Sequence, residues 1–89
     1  MTNIETTLKE RQKTHGDFMH NATIAQLIKD IMHCQPNWLL LLPDQKEALD
    51  MIASKIGRML AGEPNNAEHP HDIAGYATLV EKRLRGESL

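Results

Sequence analysis

The chain has 89 residues, the length of one domain, and carries ten Lys and Arg against twelve Asp and Glu, a formal charge of −2. Its one cysteine excludes an internal disulfide, its longest apolar run (38–42) is too short for a bilayer span, and its basic residues show no excess that would favour nucleic acid. The first residues lack the basic and apolar segments of a signal peptide, so we expect a cytoplasmic protein with no membrane partner.

Small size and an aromatic content of 3% limit the core that one copy can form. A chain this short buries only about 60–65% of the surface that its unfolded form exposes. We therefore expect a homo-oligomer, a dimer or larger, in which further apolar surface is buried.

The first predicted helix begins at a capping box formed by Thr2 to Glu5 and ends at Gly16. Its apolar stripe is thin and consists mainly of Ile4 and Leu8. This pattern predicts a helix on the outside of the bundle.

The second predicted helix begins near Asn21, a good N-cap residue, and ends before Pro36. Its apolar residues recur at helical spacing: Ile24, Leu27, Ile28 and Ile31. The apolar run Trp38–Leu42 follows and is expected to form a helical turn. It is either a core plug between helices or a contact between subunits.

The third helix is predicted over Asp44–Ala61, with Pro43 at the first helical position and Gly62 as the stop. One broad face is apolar and is expected to be buried: Ala48, Ile52, Ile56, Met59 and Leu60. Met51 lies among the polar residues on the other side, which indicates that this side is partly covered too.

The fourth helix is predicted to begin around Pro70, with His69 as its cap, and to end at Gly86. Its expected buried stripe is Ile73, Tyr76, Ala77, Val80 and Leu84. The whole chain, 1–89, is thus predicted to be one all-α, four-helix bundle-like domain that oligomerisation completes.

Three carboxylates are candidate metal ligands. Glu47 and Asp50 are three residues apart on one helix, so their like charges are neighbours, and a bound Mg²⁺ would relieve their repulsion. Asp72, near the start of the next helix, would be a third oxygen ligand. Each also has an ordinary explanation, because acids in the first turns of a helix interact favourably with its dipole. His69 and His71 do not share a helix face, which disfavours a zinc site.

Five residues are candidate substrate contacts. Arg11 and Asp17 flank the first helix end, where they form either a phosphate or base contact or simply a helix stop and cap. Lys55 and Arg58 follow Asp50 by one to two turns and would neutralise phosphate charge, and Tyr76 would stack or hydrogen-bond. No Gly-rich phosphate loop is present, and the lone cysteine lacks the neighbouring base of a nucleophile.

Three stretches, 11–21, 48–58 and 72–77, resemble a family of small phage- and prophage-encoded proteins without an established function. A more distant resemblance is to the all-α nucleoside triphosphate pyrophosphohydrolases, the MazG-like and dimeric dUTPase group. Their magnesium signature is Glu-Glu-x-x-Glu on one helix and Glu-x-x-Asp on the next. Lys46-Glu47-x-x-Asp50 and His69-x-x-Asp72 resemble its two halves, with Lys46 and His69 replacing two of the five acids.

This resemblance implies a Mg²⁺-dependent nucleotide pyrophosphohydrolase or a nucleotide-binding phage protein. Glu47 and Asp50 would orient the attacking water, and together with Asp72 they would hold the metal. The alternative is a non-enzymatic helical module that binds another protein through apolar surfaces. A nucleic-acid-binding regulator is the third and least favoured hypothesis, because the basic residues are scattered.

Overall fold

A computed structural model describes residues 3–87, and this part of the chain is helical without a strand. Its elements in chain order are α1 (Asn3–His15), α2 (Phe18–His33), a short 3₁₀ helix (Pro36–Leu40), α3 (Pro43–Ala61) and α4 (Glu68–Leu84). The predicted all-α fold with four helices is confirmed. No helix within residues 3–87 has the length and apolar character that a bilayer span requires.

Helix α3 is the centre of the arrangement, because α2 and α4 both pack against it while α1 contacts its far end. Two ion pairs fix the direction of α4. Arg83 near the end of α4 pairs with Asp44 at the start of α3, and Lys55 of α3 pairs with Asp72 near the start of α4. The two helices are therefore antiparallel.

The contact between α2 and α3 is made by very small residues. Ala25 and Ala53 are buried, and Ala53 is only 1% exposed. A Cβ atom added to Gly57 would lie 2.6 Å from the backbone oxygen of Asn21 and 3.3 Å from the Cβ of Ala25. The absence of side chains at this crossing lets the two backbones approach closely.

The core within residues 3–87 is correspondingly small. Its buried apolar residues are three alanines, and no large side chain is fully buried. The apolar face predicted on α3 is only partly covered, since Ala48 is buried but Leu60 is 65% exposed. The prediction of one broad buried face is wrong because α2 and α4 flank that face instead of covering it.

Most predicted helix ends are confirmed. Helix α1 ends before Gly16, whose φ of 77° lies in the left-handed region, and α3 ends before Gly62. The capping box at Thr2 lies outside the described residues. Two start residues were predicted wrongly: Asp17, not Asn21, caps α2 through a bond from the His20 N–H, and α4 begins at Glu68.

The apolar run 38–42 does not form the core plug that was one of its two interpretations. Trp38 is half-buried and its ring stacks on that of His33, with centroids 4.4 Å apart. Leu39 and Leu40, by contrast, are almost fully exposed. The segment therefore anchors itself by one aromatic side chain and leaves most of its apolar surface uncovered.

Candidate functional site

A cleft of about 660 Å³ lies where the end of α1, the start of α2 and the last turns of α3 meet. Its α1 wall follows one helix face, because its residues recur at intervals of three and four. The lining residues are Leu8, Arg11, Gln12, His15, Gly16, Asp17, Phe18, Asn21 and Arg58. A cleft of this size lies within the range of small-molecule sites.

Two glycines set the position of α1 at this cleft. A Cβ on Gly16 would overlap the carbonyl group of Ala61, and a Cβ on Gly62 would overlap that of Thr14. The Glu63 N–H also donates to the Thr14 oxygen, at 3.0 Å. The ends of α1 and α3 therefore cross in direct backbone contact, which only glycine permits.

Asn21 joins the two helices that form the mouth of the cleft. It is buried, and its Nδ2 donates to the backbone oxygen of His15 at 3.2 Å. That oxygen belongs to the last turn of α1, where carbonyl groups lack helical partners. Asn21, which was predicted to cap the start of α2, thus donates a hydrogen bond to a carbonyl group at the end of α1.

The cleft holds two guanidinium groups from different helices, Arg11 and Arg58. Neither forms an ion pair with an acidic side chain among the residues that the structure describes. Burial lowers the pKa of His15, and electrostatic repulsion from the nearby Arg58, His69, Lys55 and Arg11 side chains lowers it further. Because the imidazole resists protonation in a field of positive charge, the site favours an anion.

A second histidine, His69, packs beside the His15 ring. The His69 ring is 2% exposed and lies 5.2 Å from the His15 ring, centroid to centroid. Its Nε2 atom is 3.5 Å from the backbone oxygen of Thr14. The residue predicted to cap α4 is therefore a buried link between α4 and the glycine crossing.

The predicted metal ligands lie at separate helix contacts. Asp50 Oδ1 is 2.7 Å from His33 Nε2, between α3 and α2. Asp72 Oδ2 is 2.8 Å from Lys55 Nζ, between α3 and α4, and this hydrogen bond lowers the pKa of Asp72. Glu47 is exposed. No group of three or more His, Cys, Asp or Glu side chains able to hold a metal ion occurs within residues 3–87, so the acids as placed do not fit Mg²⁺.

Comparison with known proteins identifies the family. Residues 2–84 match the model of DUF6378, a domain of unknown function. The chain belongs to this family. No match was found among curated proteins or among solved structures. The DUF6378 description names no activity, so a phage origin and the relationship to MazG-like enzymes stay predictions.

Of the five predicted substrate contacts in this DUF6378 chain, Arg11, Asp17 and Arg58 line the same cleft. Lys55 lies within electrostatic reach of His15 but is paired with Asp72, and Tyr76 is half-buried on α4 without lining the cleft.

Three lining residues were not singled out as individual ligand contacts: Gln12 and His15, which lie between the predicted contacts Arg11 and Asp17, and Phe18. Gln12 and His15 were accessible to sequence reasoning, because they follow Leu8 at intervals of four and seven and so share its helix face. Phe18 gives no such signal, since its place at the cleft depends on the turn between α1 and α2.

Proposed function

We propose that this chain binds a phosphorylated small molecule of the nucleotide class in the cleft between α1, α2 and α3. The observation that supports this most directly is the convergence of Arg11 and Arg58 on one cleft, where neither has an acidic partner from the described part of the chain. Guanidinium groups bind phosphate oxygens through paired N–H donors, and two from different helices suit a ligand with more than one phosphate.

The remaining lining residues favour a nucleotide over a simple anion. Phe18 is 80% exposed at the start of α2, and an aromatic face that water surrounds is available to stack on a base. The Gln12 amide can donate to and accept from a base edge or a sugar. Asp17 repels phosphate, but its carboxylate is an acceptor for sugar hydroxyl groups.

A more specific form of the proposal is that the chain hydrolyses the bound nucleotide. The resemblance to MazG-like pyrophosphohydrolases supports this form. In this form Glu47 and Asp50 would orient the attacking water, and a Mg²⁺ ion held by these two acids and Asp72 would neutralise phosphate charge. Asp50 would first have to leave His33, and Asp72 would have to leave Lys55. Pyrophosphate release from nucleoside triphosphates with and without Mg²⁺, compared with Asp50→Asn, separates an enzyme from a binding protein.

Binding itself is tested by calorimetry with inorganic triphosphate and a panel of nucleoside mono-, di- and triphosphates. Arg58→Gln and Arg11→Gln should each weaken triphosphate binding about 10-fold to 100-fold, because a hydrogen bond to a charged group contributes about 1.5–3 kcal/mol. Arg85→Gln is the matched control, since Arg85 pairs with Glu81 outside the cleft. Equal losses in all three variants, or no binding by the wild type, would contradict the proposal.

A second candidate function, a helical module that binds proteins, is supported by the exposed apolar side chains. Within residues 3–87, thirteen large ones are exposed, among them Leu27, Ile31 and Leu40, whereas the buried apolar residues are all alanines. Soluble monomers rarely leave such surface in contiguous patches. Assembly of the chain with itself covers this surface without any second protein, and we include a homo-oligomer in the proposal.

A further inference from the structure

A second concave surface lies between α3 and α4, away from the cleft. It is an apolar groove of about 280 Å³, with α3 on one side and α4 on the other. Its lining residues are Leu41, Gln45, Ala48, Leu49, Ile52, Ala77 and Val80. None of them is charged, and the centres of protein interfaces are likewise depleted of charge.

The groove has both projecting and recessed parts. Its small residues Ala48 and Ala77 leave a recess, and Leu49 projects beside it with 38% of its surface exposed. Leu84 is exposed one turn beyond Val80 on the same face of α4. A surface that offers a recess and a projecting leucine side by side can match a second copy of itself across a two-fold axis.

The charges at one end of the groove are already neutralised. Arg83 donates two hydrogen bonds to Asp44, Nε to Oδ2 at 2.8 Å and Nη2 to Oδ1 at 2.7 Å. This ion pair joins the start of α3 to the end of α4, the two helices that form the walls of the groove. Two copies of the groove can therefore meet without placing an unpaired charge of this pair in the contact.

The exposed area of the chain is larger than a monomer of its size requires. The chain exposes 6499 Å², whereas a compact monomer of 10.1 kDa is expected to expose about 5,300 Å². The difference of about 1,200 Å² exceeds the roughly 800 Å² that each partner buries in a standard interface. The radius of gyration, 15.1 Å, is likewise above the value of about 12 Å for a compact chain of this length.

We propose that the α3–α4 groove binds the same groove of a second copy of this chain, forming a symmetric dimer. The contact would place two pairs of antiparallel helices face to face, which makes a four-helix core from two half-cores. It would bury the part of the open apolar face of α3 that lines the groove, around Leu49 and Ile52. This inference does not depend on the ligand in the cleft.

The test compares two leucines of α3 that differ in their place relative to the groove. Leu49→Glu puts a charge into the proposed contact, and Leu60→Glu puts the same charge on a more exposed leucine outside the groove lining. Sedimentation equilibrium of the full chain should give twice the mass of 10.1 kDa for the wild type and for Leu60→Glu. Leu49→Glu should weaken dimerisation on the order of 100-fold, because an unpaired carboxylate is costly to bury.

Ala77→Glu provides a second groove variant in case Leu49→Glu fails to fold. Ala77 is exposed on α4 and its substitution removes no buried side chain, so circular dichroism should show an unchanged helix content. A monomeric wild type at micromolar concentration would overturn the proposal and leave the groove to a different partner. Dissociation by Leu60→Glu with an intact Leu49→Glu dimer would also overturn it, because the contact would then lie elsewhere.

Discussion

The crossing of α1 and α3 at two glycines gives a quantitative test of the geometry beside the cleft. Gly16 and Gly86 have nearly the same left-handed backbone, with φ values of 77° and 74°. Their surroundings differ, because a Cβ on Gly16 would overlap the carbonyl group of Ala61, whereas a Cβ on Gly86 would meet nothing within 4 Å. Alanine at the two positions therefore separates backbone strain from steric overlap.

The expected losses of stability follow from the backbone strain and the steric overlap. The left-handed conformation costs a non-glycine residue about 1–2 kcal/mol, and the less flexible unfolded chain offsets about 0.4–1 kcal/mol of that. Gly86→Ala should therefore lower the free energy of unfolding by about 0–1.6 kcal/mol. Gly16→Ala adds an overpacking cost of about 1–3 kcal/mol, because the obstructing atoms belong to the backbone of Ala61 and not to a flexible side chain.

The measurement is urea unfolding followed by far-ultraviolet circular dichroism, with both variants at the same protein concentration because dimerisation adds to stability. For a domain of this size, each kcal/mol corresponds to about 4–8 °C in the melting temperature. Gly16→Ala should melt well below Gly86→Ala and should also bind triphosphate more weakly, since Gly16 lines the cleft. Equal losses at Gly16 and Gly86 would refute the close backbone crossing.

Three further predictions use the charges and the partial core. Affinity for inorganic triphosphate should rise as the pH falls toward the lowered pKa of His15, because a bound anion raises that pKa. Calorimetry should show proton uptake on binding, which His15→Gln reduces. Asp72→Asn should lower the melting temperature at neutral pH, because the Lys55 contact stabilises the ionised carboxylate and lowers its pKa in the folded chain. The difference should shrink as the pH falls below 3.8 and disappear below the lowered pKa. In the monomeric Leu49→Glu background, Ile52→Ala should cost about 1–2 kcal/mol in urea unfolding, below the 2–5 kcal/mol of a fully buried site, because Ile52 is half-buried in a single copy.

The helix ends were largely predictable because they depend on local chemistry. Gly16 and Gly62 end their helices whatever surrounds them, and Pro36 prevents α2 from continuing. Asn21 shows the limit of this approach. Asparagine is a favourable N-cap residue, but Asp17 caps α2 four residues earlier. The Asn21 side-chain amide instead donates to the backbone oxygen of His15 at the end of α1.

The covered faces were less predictable, because an apolar stripe does not show which surface covers it. Ile52 and Leu60 share a stripe on α3, yet the buried positions of that helix include Ala53 and Gly57, which face α2. Small residues give a weak signal in apolar periodicity, although they determine how closely two helices approach. A stripe that a second copy covers has the same sequence pattern as one that the chain covers itself.

The candidate site was predictable in its residue types but not in its assembly. Arg11 and Arg58 were selected for separate reasons, one beside a helix end and the other on a polar helix face. Only the packing of α1 against the end of α3 brings both guanidinium groups to one cleft. The paired acids followed a family motif, yet Asp50 contacts His33 of α2 and Asp72 pairs with Lys55 of α3. The motif gives no information about such long-range partners.

The two proposed surfaces lie on opposite sides of α3, which predicts that they act independently. Leu49 and Arg58 are nine residues apart, so they are separated by about 13–14 Å along the helix and about half a turn around it. A charge at Leu49 is therefore directed away from the cleft, and removal of the Arg58 charge leaves the groove unaltered.

Leu49→Glu should consequently bind triphosphate with wild-type affinity even as a monomer, and Arg58→Gln should remain a dimer while losing affinity. If Leu49→Glu also lost triphosphate binding with its helix content intact, the cleft would require the second copy. The proposed independence of the two surfaces would then be wrong. Within one copy, Leu49 lies more than two helix turns from Arg58 and on the opposite face of α3, so the substitution has no direct contact with the cleft of its own copy. The loss of binding would have to come from the loss of the second copy.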